Sequence, residues 1–536
     1  MSAPTRRSVL NGLALASAAT ILPLSALTSM PAFAAETADD STTDSATDSA
    51  TDSATDNVPP LRQMRGMWIA SVLNINWPSK PGLTVEAQQA EYLAWLDIAR
   101  ARRLNSVFVQ IRPTADAFWP SPHEPWSEYL TGVQGQDPGY DPLAFLVEET
   151  HRRGLAFHAW FNPYRVSMQP DPAKLHPEHP GRKNPDWIVS YGGKLYYNPG
   201  IPAVRAFVQD AMMDAVTRYE IDGLHFDDYF YPVNTTAFDD AAAYARYGAG
   251  FPDLASWRRD NVDLLVREMQ QRVRQAKPEV AWGISPSGIW RNSSTDPLGS
   301  DTAGSQSYDN LHADTRGWVR KGWLDYIAPQ IYWYIGQSNA DYAKLIPWWS
   351  GVAAGTDVQL WIGQAAYKAG AAGQPAQWFQ PDELSRHLTL NLDNPQVSGD
   401  IWYNSGDVRE DRLGSVSTAV TDHYTRPALA PLLPRLASGR PPRRPVLAAA
   451  HKVAGGAELH IVAPGRDVPF QFAVFRFDRQ AGSGDFADAR NLVAVIPAGR
   501  DVRWVDPEGA RGANYHVTAV DRANRQSEPS PGRRVR

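Results

Sequence analysis

Eight short runs of β-branched and aromatic residues alternate with helical patterns between Arg65 and Gly406, and this alternation limits the fold more than any other feature of the chain. The runs begin at Arg65 (RGMWIAS), Ser106 (SVFVQIRP), Leu155 (LAFHAWFNPYR), Ile221 (IDGLHFDDYF), Val280 (VAWGISPSG), Leu324 (LDYIAPQIYW), Val358 (VQLWIGQAAY) and Gly399 (GDIWYNSG). Helical patterns occupy Val85 to Arg103, Pro142 to Arg153, Pro202 to Tyr219, Trp257 to Ala276 and Pro381 to Leu392. Eight such units predict an α/β fold, a (β/α)8 TIM barrel with enlarged loops over residues 61–426. The competing architecture is a doubly wound open sheet. It would need a glycine-rich phosphate turn after the first strand, and Ala70-Ser71-Val72-Leu73 is not one.

The flanks are different material. Arg6-Arg7 precedes an Ala/Leu-rich stretch, and Ala32-Phe33-Ala34 offers the small residues of a cleavage site, so residues 1–34 are expected to be a twin-arginine signal peptide. An ordinary secretory signal is the alternative, and both predict export to the periplasm or beyond. Residues 35–60 hold seven acids, no base and a Ser-Ala-Thr-Asp repeat, which predicts a disordered tether. Residues 427–445 contain six prolines and four arginines without periodicity and are expected to be a linker. Residues 446–536 read as short strands between Gly/Asp/Pro turns, an all-β sandwich. The last of these strands, from Tyr515 to Ser530, resemble a fibronectin type III domain. On this division, a chain ending near Tyr424 should fold by itself.

Composition narrows the function. With no cysteine among 536 residues, disulfides, thiolate metal sites, cysteine nucleophiles and a cysteine-linked lipid anchor are ruled out. From Leu61 onward the chain carries 50 bases and 51 acids, which favours a neutral partner over nucleic acid or an anionic membrane. No apolar run after the signal is long enough to span a bilayer. Eighteen of the 19 tryptophans fall between Trp68 and Trp402.

In a barrel, chemistry belongs at the C-terminal strand ends. There the sequence places Trp68, Asn74, Trp77, Arg112, Asn162, Tyr164, Arg165, Tyr229, Gln330, Tyr332, Trp333 and Tyr403, with Glu124 and Trp126 in the loop after the second strand. Amide, guanidinium and hydroxyl groups mixed with aromatic faces suit a sugar, so these are candidate substrate-binding residues and a polysaccharide is the expected partner. Alternation along Gly223-Leu224-His225-Phe226-Asp227 turns Leu224 and Phe226 toward the helices, and His225 and Asp227 toward the axis. Asp227 at the top of the fourth strand suits a nucleophile or a stabiliser of an oxocarbenium-like transition state, and His225 is a candidate wall residue. Asp228 is its neighbour, with a salt bridge or helix cap as the structural alternative. The fifth to eighth strand ends offer no obvious acid, which leaves Asp116 in the second loop, then Glu124, Glu128 or Asp228, as candidate proton donors. The histidines show no metal-binding spacing and no nucleophile-elbow motif occurs, so no metal and no cofactor is expected.

Arg65-Gly66-Met67-Trp68, Gln110-Ile111-Arg112-Pro113 through Glu124-Pro125-Trp126-Ser127-Glu128-Tyr129-Leu130-Thr131-Gly132, Trp160-Phe161-Asn162-Pro163-Tyr164-Arg165 and Gly223 through Pro232 together resemble the glycosyl-hydrolase-like family 10 proteins. The resemblance spans about residues 61 to 425. It implies a TIM barrel and glycosidase activity and, for some members, cleavage of peptidoglycan glycan strands stripped of their stem peptides. Gly-Leu-His-Phe-Asp is also similar to the fourth-strand motif of α-amylase-type barrels, whose final Asp is the nucleophile, although the fifth-strand acid of that pattern is missing here. The expected function is therefore that of an exported glycoside hydrolase of cell-wall glycan. A hydrolase of another extracellular amino-sugar polysaccharide, or a non-catalytic glycan-binding barrel, fits the same residues.

Overall fold

The computed structural model describes residues 59–233 and 237–536. The expected signal peptide and all of the expected tether except Pro59 and Pro60 lie outside these residues. Eight parallel strands close a barrel: β1 (Met64–Ile69), β2 (Ser106–Arg112), β3 (Ala156–Phe161), β4 (Gly223–Phe226), β5 (Ala281–Ile284), β6 (Tyr326–Ile327), β7 (Gln359–Gln364) and β8 (Val397–Trp402), with β8 pairing back onto β1. Each is followed by a helix: α1 (Val85–Ala101), α2 (Pro142–Arg152), α3 (Pro202–Arg218), α4 (Leu254–Ala276), α5 (Thr315–Arg320), α6 (Tyr342–Ala353), α7 (Glu383–Leu392) and α8 (Ser415–His423). Local chemistry starts these helices. Thr84, Asp141 and Asp253 cap α1, α2 and α4 by accepting from backbone N–H groups, and Pro142 and Pro202 open α2 and α3.

Strand alternation divides two cores. Val107, Val109, Leu224, Phe226, Trp282 and Ile284 pack outward under the helices, whereas Met64, Trp68, Phe108, Trp160, Tyr326 and Trp361 fill the barrel axis. Rings this large fit inside only because neighbouring strands give up their side chains. A Cβ on Gly283 would lie 2.4 Å from the Tyr326 ring, and one on Gly223 would lie 2.1 Å from His158 Nδ1. Tyr326 and Trp361 stack with centroids 3.9 Å apart.

The C-terminal part forms β9 (Val446–Val453), β10 (Gly456–Val462), β11 (Gln471–Phe477), β12 (Leu492–Pro497), β13 (Asp501–Asp506), β14 (Asn514–Val520) and β15 (Arg533–Arg534). They make an antiparallel three-stranded sheet, β9-β10-β13, and a four-stranded sheet, β12-β11-β14-β15.

The segment 427–445 differs from the expected linker. Leu429 is buried with Phe475, Phe477 and Val520 of the four-stranded sheet, while Leu433 is buried with Met64 and Phe108 inside the barrel. Arg435 makes a two-pronged ion pair with the buried Asp325, at 2.6 and 2.9 Å. Arg522, in the turn after β14, pairs with Asp222 and Glu220 just before β4. Prolines and arginines mark this stretch as irregular, but irregular chain packs as firmly as regular chain when its apolar side chains find a core. These contacts sit at the N-terminal ends of the strands, which the tail closes around a cavity of about 30 Å³ lined by Met64, Ser106, Ala156, Ala281 and Leu433. At the C-terminal ends Asp228, Tyr229, Tyr332, Trp333 and Tyr403 keep partial exposure.

Candidate active site

Asp227 follows β4 on the face of His225, pointing toward the axis. Both of its oxygens accept from Asn162 Nδ2, at 2.8 and 2.6 Å, one also accepts from Trp160 Nε1 at 3.2 Å, and the other accepts the Tyr229 backbone N–H at 3.0 Å. Asn162 is itself held. Its Oδ1 accepts from Gln110 Nε2 at 2.6 Å, and Gln110 Oε1 accepts the backbone N–H groups of Ser71 and Val72. A relay of amides from the end of β1 through β2 and β3 thus fixes the carboxylate on β4. Burial pushes the Asp227 carboxyl above the usual range, and the positive charge of Arg165 works against that rise.

Asp228 stands next to it with far fewer partners. Its Oδ1 lies 3.4 Å from Gln330 Nε2, which donates a better bond, 2.8 Å, to the Ser285 carbonyl. Asp228 keeps partial exposure to the barrel mouth although it sits deep in the protein. Burial, and then the negative charge of Asp227, raise its carboxyl to about 7. Two adjacent acids with unlike hydrogen bonding are set for unlike roles, one ringed by donors that favour its charged form and one able to carry a proton near neutrality.

Aromatic rings wall the mouth. Tyr332 and Tyr403 stack with centroids 6.0 Å apart, and Tyr367 meets Tyr332 edge-on at 5.6 Å. All three are partly exposed, as are Tyr229 and Trp333. Lys368 Nζ donates to the Tyr332 carbonyl at 2.6 Å, and the Arg165 guanidinium lies 5.1 Å from the Tyr229 ring centre while its Nε donates to the Pro113 carbonyl. Deep, directional acids under partly exposed rings form a site that can grip a polyhydroxylated ring by its C–H faces and act on one of its bonds.

A family model described as glycosyl hydrolase-like 10 matches residues 63–380, which contain β1 to β7 and both aspartates. The chain belongs to the glycosyl hydrolase-like 10 family. Glycosyl hydrolase YngK of Bacillus subtilis (strain 168) is 45% identical over 480 residues, covering 88% of this chain and 92% of that protein. Glycosyl hydrolase DigH of Escherichia coli (strain K12) is 40% identical over 386 residues, covering 67% of this chain and 86% of that protein. Among solved structures, the PgaB (BpsB) glycoside hydrolase domain from Bordetella bronchiseptica aligns over 67% of this chain and 98% of that chain, with 12% identity and a TM-score of 0.44. Family membership makes this a chain of the glycan-acting, glycosyl hydrolase-like type.

Within this family barrel the structure brings together Asp227, Asp228, Asn162, Arg165, Tyr229, Gln330, Tyr332 and Tyr403, with Trp333 partly exposed on the loop after β6. It places others elsewhere. Trp77 is buried against Tyr92 and Phe118 under the helices and donates to the Gln88 carbonyl, so it is core rather than a sugar platform. Tyr164 is fully buried in that outer core. Asn74 ties a turn by donating to the carbonyls of Pro78 and Tyr129. Arg112 and Glu124 form a two-pronged ion pair with both side chains fully buried, so neither is free for a ligand. Trp126 lines a separate surface groove with Trp187 and Phe207. Asp116 is fully buried and accepts from Thr114 Oγ1 and Gln134 Nε2, and a carboxyl without exposure cannot hand a proton to a sugar even though burial lifts it to about 6.

Trp68 and His225 lie beneath the site in the barrel axis. Trp68 Nε1 donates to His225 Nε2 at 3.0 Å, which assigns the ring proton to Nδ1, and Nδ1 then donates to Tyr326 Oη at 3.0 Å. Burial, reinforced by nearby His158, holds His225 well below the usual histidine range, so it stays neutral and shapes the floor under Asp227. Trp160 and Gln110 reach the Asp227 relay without having been singled out as site residues. The signal for Trp160 was available, since it sits two residues before Asn162 on the same strand face, whereas an irregularity between Gln110 and Arg112 breaks the alternation that would have linked that pair.

Proposed function

We propose that this chain is an exported glycoside hydrolase that cleaves O-glycosidic bonds in cell-wall glycan, with peptidoglycan strands lacking stem peptides as its substrate. One observation carries the reading: a pair of adjacent aspartates, one fixed in place by an amide relay and the other partly exposed and raised to about 7, under aromatic walls at the catalytic end of the barrel. Asp228 donates the proton to the leaving oxygen and Asp227 stabilises the positive charge that develops on the sugar. Tyr229, Tyr332, Trp333 and Tyr403 hold the sugar faces, while Arg165 and Gln330 orient the acids. The chain's substrate class is supported by the resemblance stated for its motifs and by relatives that carry the name glycosyl hydrolase.

Incubating the full-length protein with purified peptide-free glycan strands should release shorter oligosaccharides, each break adding one water to the summed mass. Strands that bind but stay intact would make the barrel a glycan-binding protein instead. Export rests on the Arg6-Arg7 segment. Replacing both arginines by lysine is expected to leave the precursor inside the cell, and normal export of that variant would remove the twin-arginine assignment. Among the described residues no helix is long and apolar enough to cross a membrane. The three- and four-stranded sheets support a fibronectin type III-like reading of residues 446–536, whose place at the closed end of the barrel fits a role in stability rather than in gripping substrate.

A further inference from the structure

A glycosidase that retains configuration needs an attacking group in line with the bond it breaks, on the face opposite the leaving oxygen, as well as an acid beside that oxygen. Asp227 is poorly suited to attack. Its oxygens accept four hydrogen bonds from three neighbours, and forming a bond to carbon would strip those partners of their acceptor. Asp228 follows it directly at the same strand end, so both acids approach a bound sugar from one side of the mouth. The groups that act on the pair are Arg165, Asn162, Trp160, Tyr229, Gln330 and Tyr403, none of which has a carboxyl group, and the further acid beside Tyr403, Asp407, is held by Arg412 at 2.7 Å. Asp116 is sealed, and Glu124 is locked to Arg112. The site therefore holds a proton donor and a fixed anion but no attacking group of its own.

We infer that the attacking group belongs to the substrate: the carbonyl oxygen of a 2-acetamido group on the sugar whose bond is broken, with Asp227 as the anion that stabilises the cyclic cation it forms. This deepens the proposed function and rests on it, since it restricts cleavage to the glycosidic bonds of 2-acetamido-2-deoxy sugars. In the first step the amide oxygen bonds to the anomeric carbon, the bond to the leaving oxygen breaks, and Asp228 gives its proton to that oxygen. The product is an oxazolinium ion whose positive charge, shared with nitrogen, faces Asp227. In the second step water attacks the same carbon, the ring opens to restore the acetamide, and Asp228 takes back a proton. Two displacements give net retention with no covalent bond to the protein. The raised carboxyl of Asp228 suits a donor in the first step and an acceptor in the second.

The test uses the full-length protein and aryl glycosides of a short 2-acetamido-2-deoxyglucan oligomer, in which the acetyl group of the reacting sugar carries zero to three fluorines. Each fluorine weakens the amide oxygen as an attacking group, so kcat/KM should fall stepwise by on the order of 10²-fold or more across the series. The matching 2-hydroxy glycoside should be inert, and the first-formed sugar should keep its anomeric configuration by NMR. Glu128 is the rival, a partly exposed carboxyl in the loop after β2 with no hydrogen bond or ion pair of its own among the described residues. Under the inference Glu128→Gln keeps its rate within a few-fold on the natural acetyl compound. A flat fluorine series with every member cleaved, an inverted product, or collapse of the Glu128→Gln rate would overturn it while leaving the glycosidase reading intact. Failure to cut any glycoside, peptide-free strands included, would remove both.

Discussion

Asp227→Asn is expected to lower kcat on peptide-free glycan by at least about 10³, roughly 4 kcal/mol of barrier, with little change in the affinity for uncut strands. The asparagine keeps the size of the side chain and removes the charge. In the ground state no positive charge has formed on the reacting ring, which is held by aromatic faces and uncharged donors, so binding loses little. In the transition state a cation forms beside this residue, and the anion fixed by Asn162, Trp160 and the Tyr229 N–H is the closest compensation for it. Folding should survive. Burial already disfavours the charge at this position, so its removal offsets part of what is lost when the new amide meets donors in place of an acceptor. Rates measured alongside circular dichroism would check this, and a variant cleaving at the wild-type rate would send the search to another residue.

A chain ending at Tyr424 is expected not to fold to a stable barrel, contrary to what the Pro/Arg composition of residues 427–445 suggests. Removing everything beyond that point strips Leu429 and Leu433 from two buried clusters and Arg435 from the buried Asp325. Losing a buried leucine costs about 2–5 kcal/mol, and an unpaired buried charge costs about 3–5 kcal/mol. Such losses are comparable with the whole 5–15 kcal/mol or so that keeps a domain folded. Soluble yield and thermal unfolding would show the truncated chain aggregating, with Leu433→Ala in the full chain folded but lower in Tm. A truncated chain that unfolds cooperatively at the wild-type Tm would show the tail to be dispensable.

Much of the barrel was legible because strand parity is a local property. Leu224 and Phe226 had to go one way, and His225 and Asp227 then had to go the other, whatever the loops did. Loops obey no such rule. Trp77, Tyr164 and Trp126 follow strand ends in sequence, yet after a turn the chain carries the first two under the helices and the third to another groove, and only tertiary packing decides that. The Arg112–Glu124 pair spans twelve residues of irregular loop, and no spacing rule links such partners. Pro/Arg composition hid the tail in the same way. Composition reports that a segment lacks regular structure, not that its two leucines have no core to enter.

Whether Asp228 is the proton donor is read from the dependence of kcat/KM on pH. A donor must be protonated, so activity on a glycoside with a poor leaving group should fall as pH rises through about 7, the value to which burial and Asp227 lift Asp228. Asp227 must be ionised, so a second fall is expected toward acid. Asp228→Asn should lose most of its activity on natural glycan but keep a large share on an activated aryl glycoside, and on that substrate the alkaline fall should be absent. An alkaline fall that persists unchanged in Asp228→Asn would mean that another group gives the proton.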